Sequence, residues 1–163
     1  MYYRQNNSIQ HPLWTVNNTG NTQDPHRIYG GGTSAYEIDD NLNFASTFGL
    51  DVCNENNVNY ANKGGKKGGV ANRSGLYLTW NNVKLLHDHN VRISGDYEVT
   101  ENVGVTFVAE ATSRRDFYNR NGISSTGQQL FGVFRHFNFV NNDEIERFIE
   151  QHIFGIYAQT EWD

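Results

Sequence analysis

Two runs of strict alternation constrain this chain more than any other feature. Leu42, Phe44, Phe48, Leu50 and Val52 fall on even positions with Asn43, Thr47 and Asp51 between them; Val103, Val105, Phe107, Ala109 and Ala111 fall on odd positions against Gly104, Thr106, Val108 and Glu110. Successive side chains of a strand point to opposite faces, so a period of two gathers each apolar set on one side of a sheet. A helix would scatter the same residues around its circumference. Both runs therefore predict strands with one apolar face.

Composition fits a β-rich chain. The 163 residues are in the range of one domain. They include 22 Asn, 16 Gly and only two Pro, and charged residues make up 19%, so the polarity is mostly neutral. No run approaches the roughly 18 apolar residues of a membrane helix, which predicts no helical membrane span. A net charge of -5 argues against general nucleic-acid binding. With nine Tyr and ten Phe, the core is expected to be aromatic. Cys53 is the sole cysteine, so no disulfide forms within the chain. Met1-Tyr2-Tyr3-Arg4-Gln5 lacks the pattern of a signal peptide, and cytoplasmic synthesis is the expectation.

Residues 1–34 show neither period and read as an extended polar N-terminal arm, with residues 35–163 as a single β-rich domain. Holding such an arm costs on the order of 1–2 kcal/mol per residue in backbone entropy. Contacts with its own domain or with neighbouring copies must offset this, and Tyr2, Tyr3, Trp14 and Tyr29 are the expected anchors. Further along, residues 54–75 read as a long Asn/Gly/Lys loop. Short strands are expected at 75–80, 83–86 and 91–93, with a turn at 94–96. Residues 114–127 read as a second polar loop and 130–140 as a central strand apolar on both faces. Ile145, Phe148, Ile149, His152 and Ile153, spaced i, i+3, i+4, i+7 and i+8 behind an Asn/Asp/Glu start, predict an amphipathic helix over about 142–153. The sum is an antiparallel sandwich or barrel of about seven strands with one C-terminal helix.

Chemistry-bearing clusters are few. His87 and His89 at i and i+2 on a strand point the same way and can supply two ligands to a metal, with His136 or His152 as a third and Glu110 or Asp96 as a base. Gly30 to Ala35 matches a dinucleotide fingerprint in letters, but no helical period follows it. Asp39-Asp40-Asn41 resembles the start of a calcium loop without its Gly and closing Glu. No cofactor is expected. Positive charge gathers at Lys63, Lys66, Lys67 and Arg73 and again at Arg114 and Arg115, and these loops are expected to dock on a neighbour's acidic helix.

These features predict a non-catalytic structural subunit that self-associates through its arm into a particle such as a virion or filament. Two alternatives stand beside it. One is a glycan-binding β module using Trp14, Trp80 and Trp162 with the abundant Asn. The other is a metal-dependent hydrolase built on His87 and His89.

Overall fold

The computed structural model describes residues 10–65, 73–101 and 103–162. One short helix leads into five long strands: α1 (Pro12–Asn18), β1 (Thr19–Asp39), β2 (Leu42–Ala61), β3 (Leu76–Thr100), β4 (Val103–Gln128) and β5 (Phe139–Trp162). A single 3-10 turn, His136–Asn138, precedes β5. The strands lie in one antiparallel sheet in the order β1-β2-β3-β4-β5, each beside its sequence neighbour. Two residues separate β1 from β2 and β3 from β4, which is the length of a tight hairpin connection. Residues 62–75 and 129–138 make the two longer connections.

The sheet confirms a mainly antiparallel β chain and corrects the finer expectations. No helix forms at 142–153; β5 runs through it. The physical reason lies in the spacing. Ile145, Ile149 and Ile153 are four apart, and four is a multiple of two as well as close to a helical turn, so they share a strand face as readily as a helix face. Pairing with β4 favours the strand, as Ser125 meets Asn142 and Arg115 meets Glu150 across it. Helix α1 is instead near the N-terminus. Pro12 opens α1, the His11 ring accepts from the Leu13 amide, and Asn17, Asn18 and Thr19 bond back to the carbonyls four residues before them.

Residues 10–34 of the expected extended arm carry α1 and most of β1, and the polar stretches 54–61 and 114–127, expected as loop, are strand. The expected strand at 130–140 is mostly loop and 3-10 turn, and the expected turn at 94–96 lies inside β3. Five strands of 20 to 26 residues therefore replace about seven short ones. Strands of globular domains usually run 3–10 residues.

The described chain divides into two compact units, each built from segments of all five strands. One comprises residues 1–26, 54–83 and 119–148; the other comprises residues 27–53, 84–118 and 149–163. In the second unit the two sheet faces differ in kind. One face carries Arg27 with Asp51, Thr33 with Thr47, Asn90 with Glu110, and Asp96 with Thr106. The opposite face carries the alternating apolar set, where Phe48 packs on His87 and Tyr97 stacks on Phe107, together with the Ser46–His89 bond and the Arg115–Glu150 ion pair. Gly31 lets the β2 backbone come close, since a Cβ there would sit 2.6 Å from the Phe48 carbonyl oxygen.

In the first unit, the connection 129–138 folds against the strands. Phe134 packs on Tyr60 and Tyr77, and Tyr77 also meets His136 and Phe139. These rings form an aromatic cluster, but not the aromatic core that composition led one to expect, since Phe139 is its one buried member among the described residues. Among the described residues only Ala61 and Phe139 are buried apolar side chains, whereas Asn57, Asn62, Asn82, Ser125, Gln128 and Asn138 are buried polar ones. Large apolar side chains such as Ile28, Val99, Phe154, Ile156 and Trp162 are exposed. This inverts the usual arrangement of a water-soluble domain.

Candidate functional site

The charged face of the second unit carries the densest chemistry. Strand alternation alone brings it together: Arg27 from β1, Asp51 and Cys53 from β2, Lys84 and Asp88 from β3, and Arg114, Asp116 and Tyr118 from β4 lie at same-face positions of adjacent strands. Arg27 grips Asp51 with two parallel bonds, Nε to Oδ1 at 2.9 Å and Nη2 to Oδ2 at 2.5 Å. That bond holds the Asp51 carboxyl below its ordinary range and raises the Arg27 guanidinium in turn. Arg114 Nε lies 3.1 Å from Asp116 and 3.9 Å from Asp88. Lys84 has its ammonium 5.8 Å from the centre of the Tyr118 ring, and no carboxylate among the described residues pairs with it. Arg27, Asp51, Cys53, Lys84, Arg114, Asp116 and Tyr118 border a cavity of about 460 Å³, with Leu86 and Ile149 as apolar wall on the same face. That volume falls in the range of small-ligand sites.

The first unit holds a different kind of polarity. Glu55 Oε1 accepts from the amides of Asn57 at 2.6 Å and Asn82 at 2.9 Å, and Asn82 in turn accepts from Arg120 Nε at 2.8 Å. Asn57 Oδ1 is buried with no hydrogen-bond partner. Elsewhere in this unit the His136 ring bridges Thr79 and Ser125 at 2.8 and 2.7 Å, and its burial lowers its pKa. Asn62, Gln128 and Asn138 fasten the connection between β4 and β5: Asn138 bonds both backbone groups of Leu130 and the carbonyl of Val133, and Asn62 accepts from Gly132 N and Gln128.

The sequence-derived candidates disperse across this framework. His87 and His89 do share a face, but His87 packs on Phe48 and His89 bonds Ser46 at 3.0 Å. His136 lies in the other unit, His152 bonds Glu150, and Glu110 accepts from Asn90. No group of three His, Cys, Asp or Glu that could hold a metal occurs among the described residues. Asp39, Asp40 and Asn41 form the hairpin end, where Asp39 Oδ1 accepts from the Asp40 amide. Gly30 to Ala35 is β1, with no helix after it.

Of the arm anchors, Trp14 lies in α1 and Tyr29 on β1 beneath the Arg27 guanidinium, while Tyr2 and Tyr3 lie outside the described residues. Lys63 donates to the Gln129 carbonyl at 2.7 Å, and the Arg73 carbonyl accepts from the Gly64 amide. Lys66 and Lys67 lie outside the described residues. Arg114 and Arg115 are in a strand, point to opposite faces, and meet carboxylates of their own chain: Asp116 for the first, Glu150 at 2.6 Å for the second. Glu150, expected on an exposed helix, has its carboxyl pKa lowered first by the Arg115 bond and then by His152.

Neither a family model nor a curated protein matches the chain. Solved structures do. It is similar over 92% of its length to a chain in a structure of the RagAB peptide transporter, at a TM-score of 0.75 and 10% identity. It is similar over 90% to a chain of the RagAB peptide importer in its closed-closed state, at a TM-score of 0.72 and 10% identity. The chain spans 17% and 16% of those two chains. At this identity the likeness concerns the fold alone.

Sequence reading did not single out Arg27, Asp51, Lys84 and Asp116 as a site because they lie far apart in the chain and share no motif. The available signal was the second face of the alternation: once the apolar positions are assigned to one side, the intervening charges must share the other.

Proposed function

We propose that this chain forms part of the wall of a transmembrane β-barrel transporter that handles peptides, with the charged face toward the lumen and the alternating apolar face toward lipid. The inversion of burial carries the reading: large apolar side chains are exposed while the buried side chains are mostly amides and hydroxyls. A closed barrel satisfies every backbone group between strands, and its wall alternates apolar outward with polar inward. Strands of 20 to 26 residues exceed the roughly 9–11 needed to cross a bilayer. Tight two-residue connections alternating with longer ones match the short turns and long loops of such barrels. Among the described residues no helix is long and apolar enough to cross a membrane, which bears only on helical spans. The similarity to chains of a peptide transporter supports the cargo class.

The test is a cysteine scan along Val103–Ala111 in a Cys53→Ser background, in protein reconstituted into lipid vesicles. Val105→Cys and Phe107→Cys should be quenched by a lipid-phase probe, and Thr106→Cys should react with a water-soluble maleimide. Loss of this alternation would overturn the reading.

A second reading keeps the self-association expected from sequence but moves it from the arm to the sheet edges. The order of strands leaves β1 and β5 as outer strands, and an uncovered edge is a template for pairing. In this reading copies of the chain pair β1 with β5 and build a particle. Solution mass distinguishes the two, because a wall segment does not require defined homo-oligomers in detergent.

A further inference from the structure

Within the charged face of the second unit, the cations are not equivalent. Arg27 is committed to Asp51 by two bonds, and Arg114 lies between Asp116 and Asp88. Lys84 has only the face of Tyr118, with no carboxylate of the described residues in ion-pair range. A cation–aromatic contact orients an ammonium without neutralising it, so its charge stays available to an anion. The same cavity has an apolar wall with Leu86 and Ile149 on the charged face and a volume of about 460 Å³. A cavity of this make-up suits a carboxylate with an apolar side chain attached close by. It does not suit phosphate as well, because the lining Asp51 and Asp116 repel a dianion, Arg27 is committed to Asp51 and Arg114 has its Nε on Asp116.

Resting on the peptide reading above, we infer that Lys84 anchors the carboxylate of a bound peptide, with Leu86 and Ile149 receiving the apolar side chain next to it. The Arg27–Asp51 and Arg114–Asp116 pairs act as fixed walls that keep Lys84 the only cation open to the ligand.

A carboxylate can come from a peptide's C-terminus or from an acidic side chain, so the test uses three fluorescein-labelled probes: tetraleucine with a free C-terminus, the same peptide amidated, and an amidated peptide with glutamate in its third position. Binding is measured by anisotropy on the full chain in detergent, for wild type, Lys84→Met and Lys84→Arg. Wild type should bind the free acid at least fivefold more tightly than the amide. Lys84→Met should weaken the free acid to the level of the amide without changing the amide, and Lys84→Arg should restore most of the preference. Equal recovery with the glutamate probe would assign the anchor to carboxylates in general; no recovery would assign it to the C-terminus. Indifference of wild type to amidation, failure to bind any probe, or an unchanged preference in Lys84→Met would overturn the inference. Carboxylate preference in a chain that fails the lipid alternation test would instead sink the barrel reading and leave the anchor standing. Normal lipid alternation without the preference would do the reverse.

Discussion

The hydroxyl of Ser125 lies 2.7 Å from Nδ1 of His136, and the same hydroxyl donates to Asn142 at 2.5 Å, so one buried oxygen joins β4, β5 and the turn between them. This assigns the imidazole. Ser125 has a single proton and spends it on the Asn142 carbonyl oxygen, so it must accept from His136 Nδ1–H, which leaves Nε2 to accept from the Thr79 hydroxyl 2.8 Å away. Ser125 is fully buried. Ser125→Ala removes the only acceptor for Nδ1–H and the donor to Asn142, and should destabilise the fold by about 1–3 kcal/mol in denaturant titration.

The same network sets a pH dependence. Burial lowers the His136 pKa below its ordinary 6.5, so between that value and the folded one the unfolded chain binds a proton that the native chain refuses. Stability is therefore complete above pH 6.5 and is lost as the pH falls below it. The midpoint of thermal unfolding should drop between pH 7.5 and 5.5 in wild type and drop less in His136→Gln. Asp51 and Glu150, both lowered, add their own loss only at more acid pH.

Asn138 fastens the connection between β4 and β5 with three bonds to Leu130 and Val133, and it is buried. Asn138→Ala leaves both backbone groups of Leu130 without a side-chain partner and the Val133 carbonyl with only Gln128 at 3.4 Å, while the exposed Leu130, Phe131 and Phe137 give no apolar grip in exchange. Limited proteolysis should cut residues 129–138 faster in the variant, at sites wild type resists, with a loss of roughly 1–3 kcal/mol in global stability.

Gly122 and Gly104 give a paired test of how closely β3 and β4 approach. A Cβ on Gly122 would run into the Thr79 carbonyl and Trp80, whereas a Cβ on Gly104 meets nothing within 4 Å. Gly122→Ala should cost about 1–3 kcal/mol by overpacking against backbone. Gly104→Ala should be neutral or stabilising by up to about 1 kcal/mol, through the unfolded state.

Adjacent residues on β4 separate the two sheet faces energetically. If Phe107 faces lipid, Phe107→Arg should lower the free energy of folding into vesicles by about 2–4 kcal/mol, the range for a cation at mid-bilayer on a barrel wall. Thr106→Arg, one position along and next to Asp96, should change it little. Reversible folding into short-chain lipid vesicles, monitored by tryptophan fluorescence, measures both.

Much of this fold was legible along the chain. The alternation at 42–52 and 103–111 fixed strand type, and the polar positions between fixed what the opposite face carries. Strand length was not legible. Residues 54–61 and 114–127 lack apolar spacing, yet they continue as strand because neighbouring strands satisfy their backbone and because amide pairs such as Asn81 with Asn54 and Asn56 cross the sheet. The helix expected at 142–153 failed for a related reason, since a spacing of four serves both periods.

By itself, then, the sequence determined that this chain is β-rich, that its strands have one apolar and one polar face, and that no long apolar helix is present. Alternation is a property of adjacent residues and needs no partner to be read. Only the tertiary structure decided that large apolar side chains such as Ile28, Phe154 and Trp162 stay exposed, that Arg27 meets Asp51 across 24 residues, that Ser125, His136 and Thr79 share protons, and that Lys84 has no carboxylate partner among the described residues. Those relationships depend on which strands pair and in what register, and the energy that sets the register comes from contacts between residues far apart in the chain.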